Sequence, residues 1–227
     1  MTTSWLQRFA WVCLMACSSA PAAPPVSASP VSEFPASASP VYAADVVLRA
    51  VGEREKAWTQ PRTTLALVAG QAPDCSTYSK LKASGLVDEG HNMLVKSEYQ
   101  ICDVLAQLDK SVKLEALPAA NYGAELASRL DLRTFRSSLR PRMDEDDDTL
   151  SSLFGSEVSV EPDAAVVESE DRHFSLTVVV VGDLDQSGGT DWLVWVSDEI
   201  LTGTLRSFQT LLIRDVAPEG LLRAESL

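Results

Sequence analysis

Apolar residues crowd three short stretches of the second half: Phe174–Val181, Trp192–Val196 and Phe208–Ile213, each bounded by Gly, Asp, Ser or Thr. Runs of that length, rich in Val, Leu and aromatic residues, predict strands. A fourth short strand is expected at 220–224, giving an antiparallel meander. The unbroken run Val178-Val179-Val180-Val181 predicts a central strand covered on both faces. Earlier in the chain, Val41–Val51 and Thr63–Val68 are strand-like. Over Met93–Leu108, the spacing of Ile101, Val104, Leu105 and Leu108 puts all four on one helical face. Gly123–Leu139, with Leu126, Leu130, Phe135 and Leu139 apolar and Pro141 as its stop, predicts a second helix. Arg129, Arg133, Arg136 and Arg140 would then form one basic, solvated stripe along it. Helices in the first half and strands in the second predict an α+β fold. Residues 45–227 are expected to form a single domain.

The first residues follow a different pattern. A start with one cation, Arg8, leads into the apolar core Phe9–Ala16 and then Cys17-Ser-Ser. A charged start, a short apolar core and small residues at its end make a secretory signal, too short to span a bilayer. The tetrad Leu14-Met15-Ala16-Cys17 resembles the lipobox of bacterial lipoprotein precursors. That resemblance implies a signal peptide at 1–16, with Cys17 as an acylated mature N-terminus (a palmitate-type anchor). No Asp follows Cys17, which by the same likeness implies transfer to the periplasmic side of the outer membrane. Residues 18–44 are almost entirely Ser, Ala, Pro and Val. Such a stretch has too little apolar surface to order itself, and its prolines favour an extended tether.

Composition sharpens this picture. The 227 residues carry 19 Lys+Arg against 32 Asp+Glu, a formal charge of −13. Loss of residues 1–16 takes away Arg8 and no acid, leaving about −14. A polyanion needs concentrated positive charge, so nucleic acid is not an expected partner. Cationic proteins are favoured. Cys13 leaves with the signal and Cys17 takes lipid, so Cys75 and Cys102 remain as one pair. In an oxidising compartment, one pair reads as a disulfide.

The sharpest local motif is Gly182-Asp183-Leu184-Asp185-Gln186-Ser187-Gly188-Gly189-Thr190-Asp191. Oxygen-bearing side chains at positions 1, 3, 5 and 9 surround a glycine at 6, a spacing that can wrap a calcium ion. Asp183, Asp185, Ser187 and Asp191 would offer side-chain oxygens and Gly189 its carbonyl. Position 12 is Val194, where a helical EF-hand needs a bidentate Glu, so an EF-hand is excluded. The strand–loop–strand setting resembles the Asp-rich calcium loops of FG-GAP and VCBS repeat proteins. It is also similar to loops in some periplasmic lysozyme inhibitors and immunity lipoproteins. This likeness implies Ca²⁺ as a structural ion, and a basic cell-wall hydrolase as partner.

Catalytic patterns are thin. Ser79-Lys80-Leu81-Lys82 matches Ser-x-x-Lys, but its companion motifs Ser-Asp-Asn and Lys-Thr-Gly are absent. His91 and His173 have no paired metal spacing. Trp58, Trp192 and Trp195 could line a glycan surface, with core packing expected for one of the last two. The sequence thus points to a non-catalytic binding module, an immunity protein or hydrolase inhibitor. A structural or assembly lipoprotein is the alternative, and an envelope hydrolase ranks third.

Overall fold

The computed structural model describes residues 41–68, 70–83, 93–108, 112–140 and 148–227. The signal, Cys17, the tether to residue 40, His91 and residues 144–147 of the acidic run lie outside the described residues. Among the described residues, no helix is long and apolar enough to cross a membrane.

The fold is α+β, with its longest strands in the C-terminal half. The spine is β7 (Arg172–Gly182), paired along its length with β8 (Asp191–Ile200). The antiparallel meander continues through β9 (Arg206–Ile213), as the apolar runs predict, to β10 (Ala224–Ser226), which begins where the strand expected at 220–224 was to end. The other edge of β7 is shared. Residues 173–177 pair with β6 (Ala164–Glu168), which also carries β5 (Val158–Val160). Val180 and Val181 pair with β1 (Val41–Ala43), which is parallel to β4 (Leu114–Ala116). A small separate hairpin joins β2 (Leu65–Leu67) to β3 (Gly70–Ala72).

Both faces of the large sheet are covered, and a bulge in β7 makes that possible. Val178 lies opposite Val194, whereas Val180 lies opposite Leu193, so one residue is inserted. An inserted residue shifts the alternation of side chains. Val178 and Val181 therefore share one face while Val179 and Val180 fill the other. The first face packs on α6 (Tyr122–Arg129), α7 (Leu150–Phe154) and the chain through Leu132, Phe135 and Leu139. The second face packs on α1 (Asp45–Gly52) and α5 (Gln100–Gln107), through Val47, Val104 and Leu108. Trp192 and Trp195 accordingly lie on opposite faces; Trp192 is wholly buried, edge-on to Tyr122, and Trp195 is half-buried.

Outside α5 lies a smaller helical lobe built from α2 (Arg54–Thr59), α3 (Cys75–Ala83), α4 (Met93–Lys96) and the β2–β3 hairpin. Met93–Leu108 is helical as expected, but as α4, a 3-10 turn at Ser97–Tyr99 and then α5. The Cys75–Cys102 disulfide joins α3 to α5, with Cα atoms 5.1 Å apart and both residues buried.

Three expectations are corrected. Val41–Val51 is not one strand: β1 ends at Ala43 and α1 begins at Asp45. Residues 41–44, read as the end of the tether, belong to the fold, since Val41 and Ala43 are buried in the sheet. The helix expected at 123–139 stops at Arg129. Leu130 forms a parallel bridge with Leu222, and the Asp131 side chain caps a 3-10 turn at Leu132–Thr134. Ser138 is then held to the buried Asp198 carboxylate through its N–H and hydroxyl, both at 2.6 Å. The four arginines therefore do not share a helical stripe. Arg129 pairs with Glu125 and donates to the Ala217 and Gly220 carbonyls, while Arg133 pairs with Asp131.

Candidate functional site

The Asp-rich loop joins the two central strands, β7 and β8, immediately beyond their last pair, Gly182 with Asp191. Gln186 (φ 62°) and Gly188 (φ 91°) both lie in the left-handed region, so the chain reverses where the glycine spacing predicts. The reversal draws Asp183, Asp185 and Asp191 together, each with a carboxylate oxygen within 4.8 Å of the others. Calcium–oxygen bonds run to about 2.4 Å, so oxygens up to about 4.8 Å apart can reach one ion. Three carboxylates this close could converge on one metal ion, and all-oxygen donors of this kind suit a hard divalent cation.

Backbone N–H groups fix the loop. Asp183 accepts from Ser187 and Gly188 at 3.0 and 2.9 Å, and Asp185 accepts from Ser187 at 3.0 Å. Asp191, wholly buried, accepts from Leu184 at 3.0 Å and Asp215 at 3.1 Å. Burial holds the Asp191 carboxyl above its ordinary range, against the lowering effect of those two donors. The Ser187 hydrogen bonds lower Asp185, with the Arg214 cation adding to the effect. Of the residues expected to ligate, Ser187 thus sits among the carboxylates, with its hydroxyl 3.2 Å from the Gly189 nitrogen.

Two further residues reach the loop from the connection after β9. Arg214 pairs with Asp185 at 2.7 Å. Asp215, itself left-handed at φ 46°, brings its carboxylate 3.4 Å from the Ser187 hydroxyl and hard against Gly189. A Cβ at Gly189 would stand 1.9 Å from the Asp215 Oδ1, so this glycine is needed for the close approach of Asp215. Nothing in the local spacing points to Asp215, which lies 24 residues beyond Asp191.

The other candidates are dispersed. Ser79 lines a cavity of about 500 Å³ with Arg54, Glu55, Trp58, Leu105 and Ala106. Lys82 instead pairs with Asp103 at 2.5 Å, so a carboxylate engages the lysine of the Ser-x-x-Lys match. Asp103 is buried and also receives the Tyr78 hydroxyl at 3.0 Å and the Lys96 ammonium at 3.4 Å. Burial pushes the Lys96 amine down and the Tyr78 hydroxyl up. His173 lies 3.3 Å from Glu168. Trp58 packs on the cluster of the helical lobe, Trp192 is wholly buried in one face of the sheet and Trp195 packs on the other, so Trp192 offers no surface to a glycan.

No family model, no curated protein and no solved structure matches this chain.

Proposed function

We propose that the chain is an outer-membrane lipoprotein, anchored through Cys17. Its periplasmic domain is a non-catalytic binding module that captures a basic cell-wall hydrolase, as an immunity protein or inhibitor does. The observation that carries this reading is the buried Cys75–Cys102 disulfide, a covalent bond suited to an oxidising compartment. It agrees with the export signal, which occupies an independent part of the chain. The acidic balance, −13 for the whole chain, supports a cationic partner by raising its rate of encounter.

In this reading the β7–β8 loop takes a structural calcium ion. Asp183, Asp185 and Asp191 supply oxygens, and the ion offsets the repulsion among three close carboxylates. Its role is to hold one end of the sheet rigid.

Two measurements test the proposal. The mass of the mature chain isolated from membranes should correspond to an acylated Cys17 start. Added at micromolar excess, the mature protein should inhibit purified basic muramidases or hydrolases encoded beside it. A start at another residue removes the anchor, and undiminished activity of every such hydrolase removes the inhibitor role.

A further inference from the structure

The opposite end of the sheet from the aspartate loop carries a feature that the proposed calcium ion does not explain. At the β8–β9 turn, residues 201–205 (Leu-Thr-Gly-Thr-Leu) are all exposed, with Leu201 and Leu205 each 47% exposed. Two leucines in water at a mobile tip would be unremarkable, but this tip is tied down. Ile200 donates to the Leu205 carbonyl at 3.0 Å and Gly203 donates to Ile200 at 3.2 Å. The Arg206 guanidinium donates to the carbonyls of Ile200 and Leu205, and its Nε pairs with Glu199 at 3.0 Å. Leu201 also donates to Asp171 at 2.7 Å, which fastens the tip to the neighbouring β6–β7 turn. That turn and the strand before it present the exposed acids Glu168 and Glu170.

A rigid loop loses little conformational freedom when it docks, and exposed aliphatic side chains held this way gain from desolvation. We infer that the Leu201–Leu205 hairpin tip is a preorganised docking element, which seats both leucines in an apolar pocket of a cationic protein. Glu168 and Glu170 face the basic rim of that pocket. Charge complementarity selects this occupant: Arg206 and Glu199 neutralise each other, and the exposed acids beside the tip add to a chain of net charge −13. The inference rests on the proposed capture of a basic hydrolase and specifies where capture occurs.

The test measures binding of the mature chain to a purified basic muramidase that it inhibits. Leu201→Ser and Leu205→Ser should each weaken binding about tenfold or more, with the melting temperature unchanged. Glu168→Gln combined with Glu170→Gln should slow association about threefold at low salt and flatten its salt dependence. Full affinity in both leucine variants would overturn the docking role and leave the proposed function standing. Failure of the unsubstituted chain to bind any basic hydrolase would remove the proposed function and this role with it. Two further results would also overturn it. One is a dimer of the unsubstituted chain that the leucine variants lose. The other is binding of the Cys17→Ser chain to anionic phospholipid vesicles that Leu201→Ser abolishes.

Discussion

The helical lobe and the large sheet hold themselves together by different means. Around β7 and β8 the chain buries Trp192, Phe174, Leu176 and a run of valines against helices on both faces, so apolar burial dominates. The lobe around α3 has a smaller cluster, of Leu65, Leu67, Ala72, Tyr78 and Tyr99, closed by Cys75 and Cys102. One residue beyond the disulfide, Asp103 gathers Lys82, Lys96 and Tyr78 at the same α3–α5 seam. Where the core is small, a covalent bond supplements apolar area, and the buried charge cluster at the same seam is costly to break once one partner is removed. Opening of the lobe is therefore expected to leave the sheet intact.

The largest effect is expected at the buried charge. Asp103→Ala leaves two lysines without their shared carboxylate and should cost about 3–5 kcal/mol, read as a shift in the denaturant midpoint. Lys96→Met should be far milder, since burial already disfavours that cation and Lys82 still pairs with Asp103. Equal losses from the two would break the comparison. Next, Cys75→Ser with Cys102→Ser opens a loop of 27 residues and should cost roughly 3.5 kcal/mol. Hydrogen exchange should then rise in α3 and the β2–β3 hairpin, while the amides of β7 and β8 stay protected.

The aspartate loop tests the sheet from the other side. Calcium at about 100 times its Kd should stabilise the fold by roughly 2.7 kcal/mol, and Asp183→Ala should remove that gain. The pH dependence has a definite sign. The folded pKa of Asp191 is raised by burial, so the metal-free protein loses stability as pH rises from the ordinary carboxylate range through the raised value. An ion must displace that proton, so calcium's stabilisation should be smaller near pH ~4 than near pH ~7.5, as measured by melting temperature. A calcium effect that did not change over this range would remove Asp191 from the ligand set. The smallest effect is a packing one. A Cβ at Gly123 would meet the Ala164 and Glu161 carbonyl oxygens at 2.0 and 2.2 Å, so Gly123→Ala should push α6 from β6 and cost about 1–3 kcal/mol. Gly52→Ala, with open space around it, provides the control.

The meander was legible because each strand carries its own signal: Val178–Val181 and Trp192–Val196 are apolar runs ended by turn residues. The aspartate loop was legible for a similar reason, since Asp183, Asp185 and Asp191 sit at fixed offsets around Gly188. The stretch after Arg129 misled because Leu126 and Leu130 are spaced for a helix, whereas partners distant in sequence set its path. Leu222 takes Leu130 into a bridge, and Asp198 takes Ser138. β1 was hidden for a related reason: three residues are too few to show a period, and only pairing with β7 and β4 makes them a strand.

By itself the chain determined the α+β order, the three central strands, the pairing of Cys75 with Cys102 and the turn that gathers three aspartates. These are local, carried by residues a few positions apart. Only the tertiary structure decided which face each valine of β7 fills, that Asp215 and Arg214 join the aspartate loop, and that Asp103 collects two lysines. Those depend on a one-residue bulge and on contacts between segments distant in the chain, whose energies exist only once the backbone has brought them together.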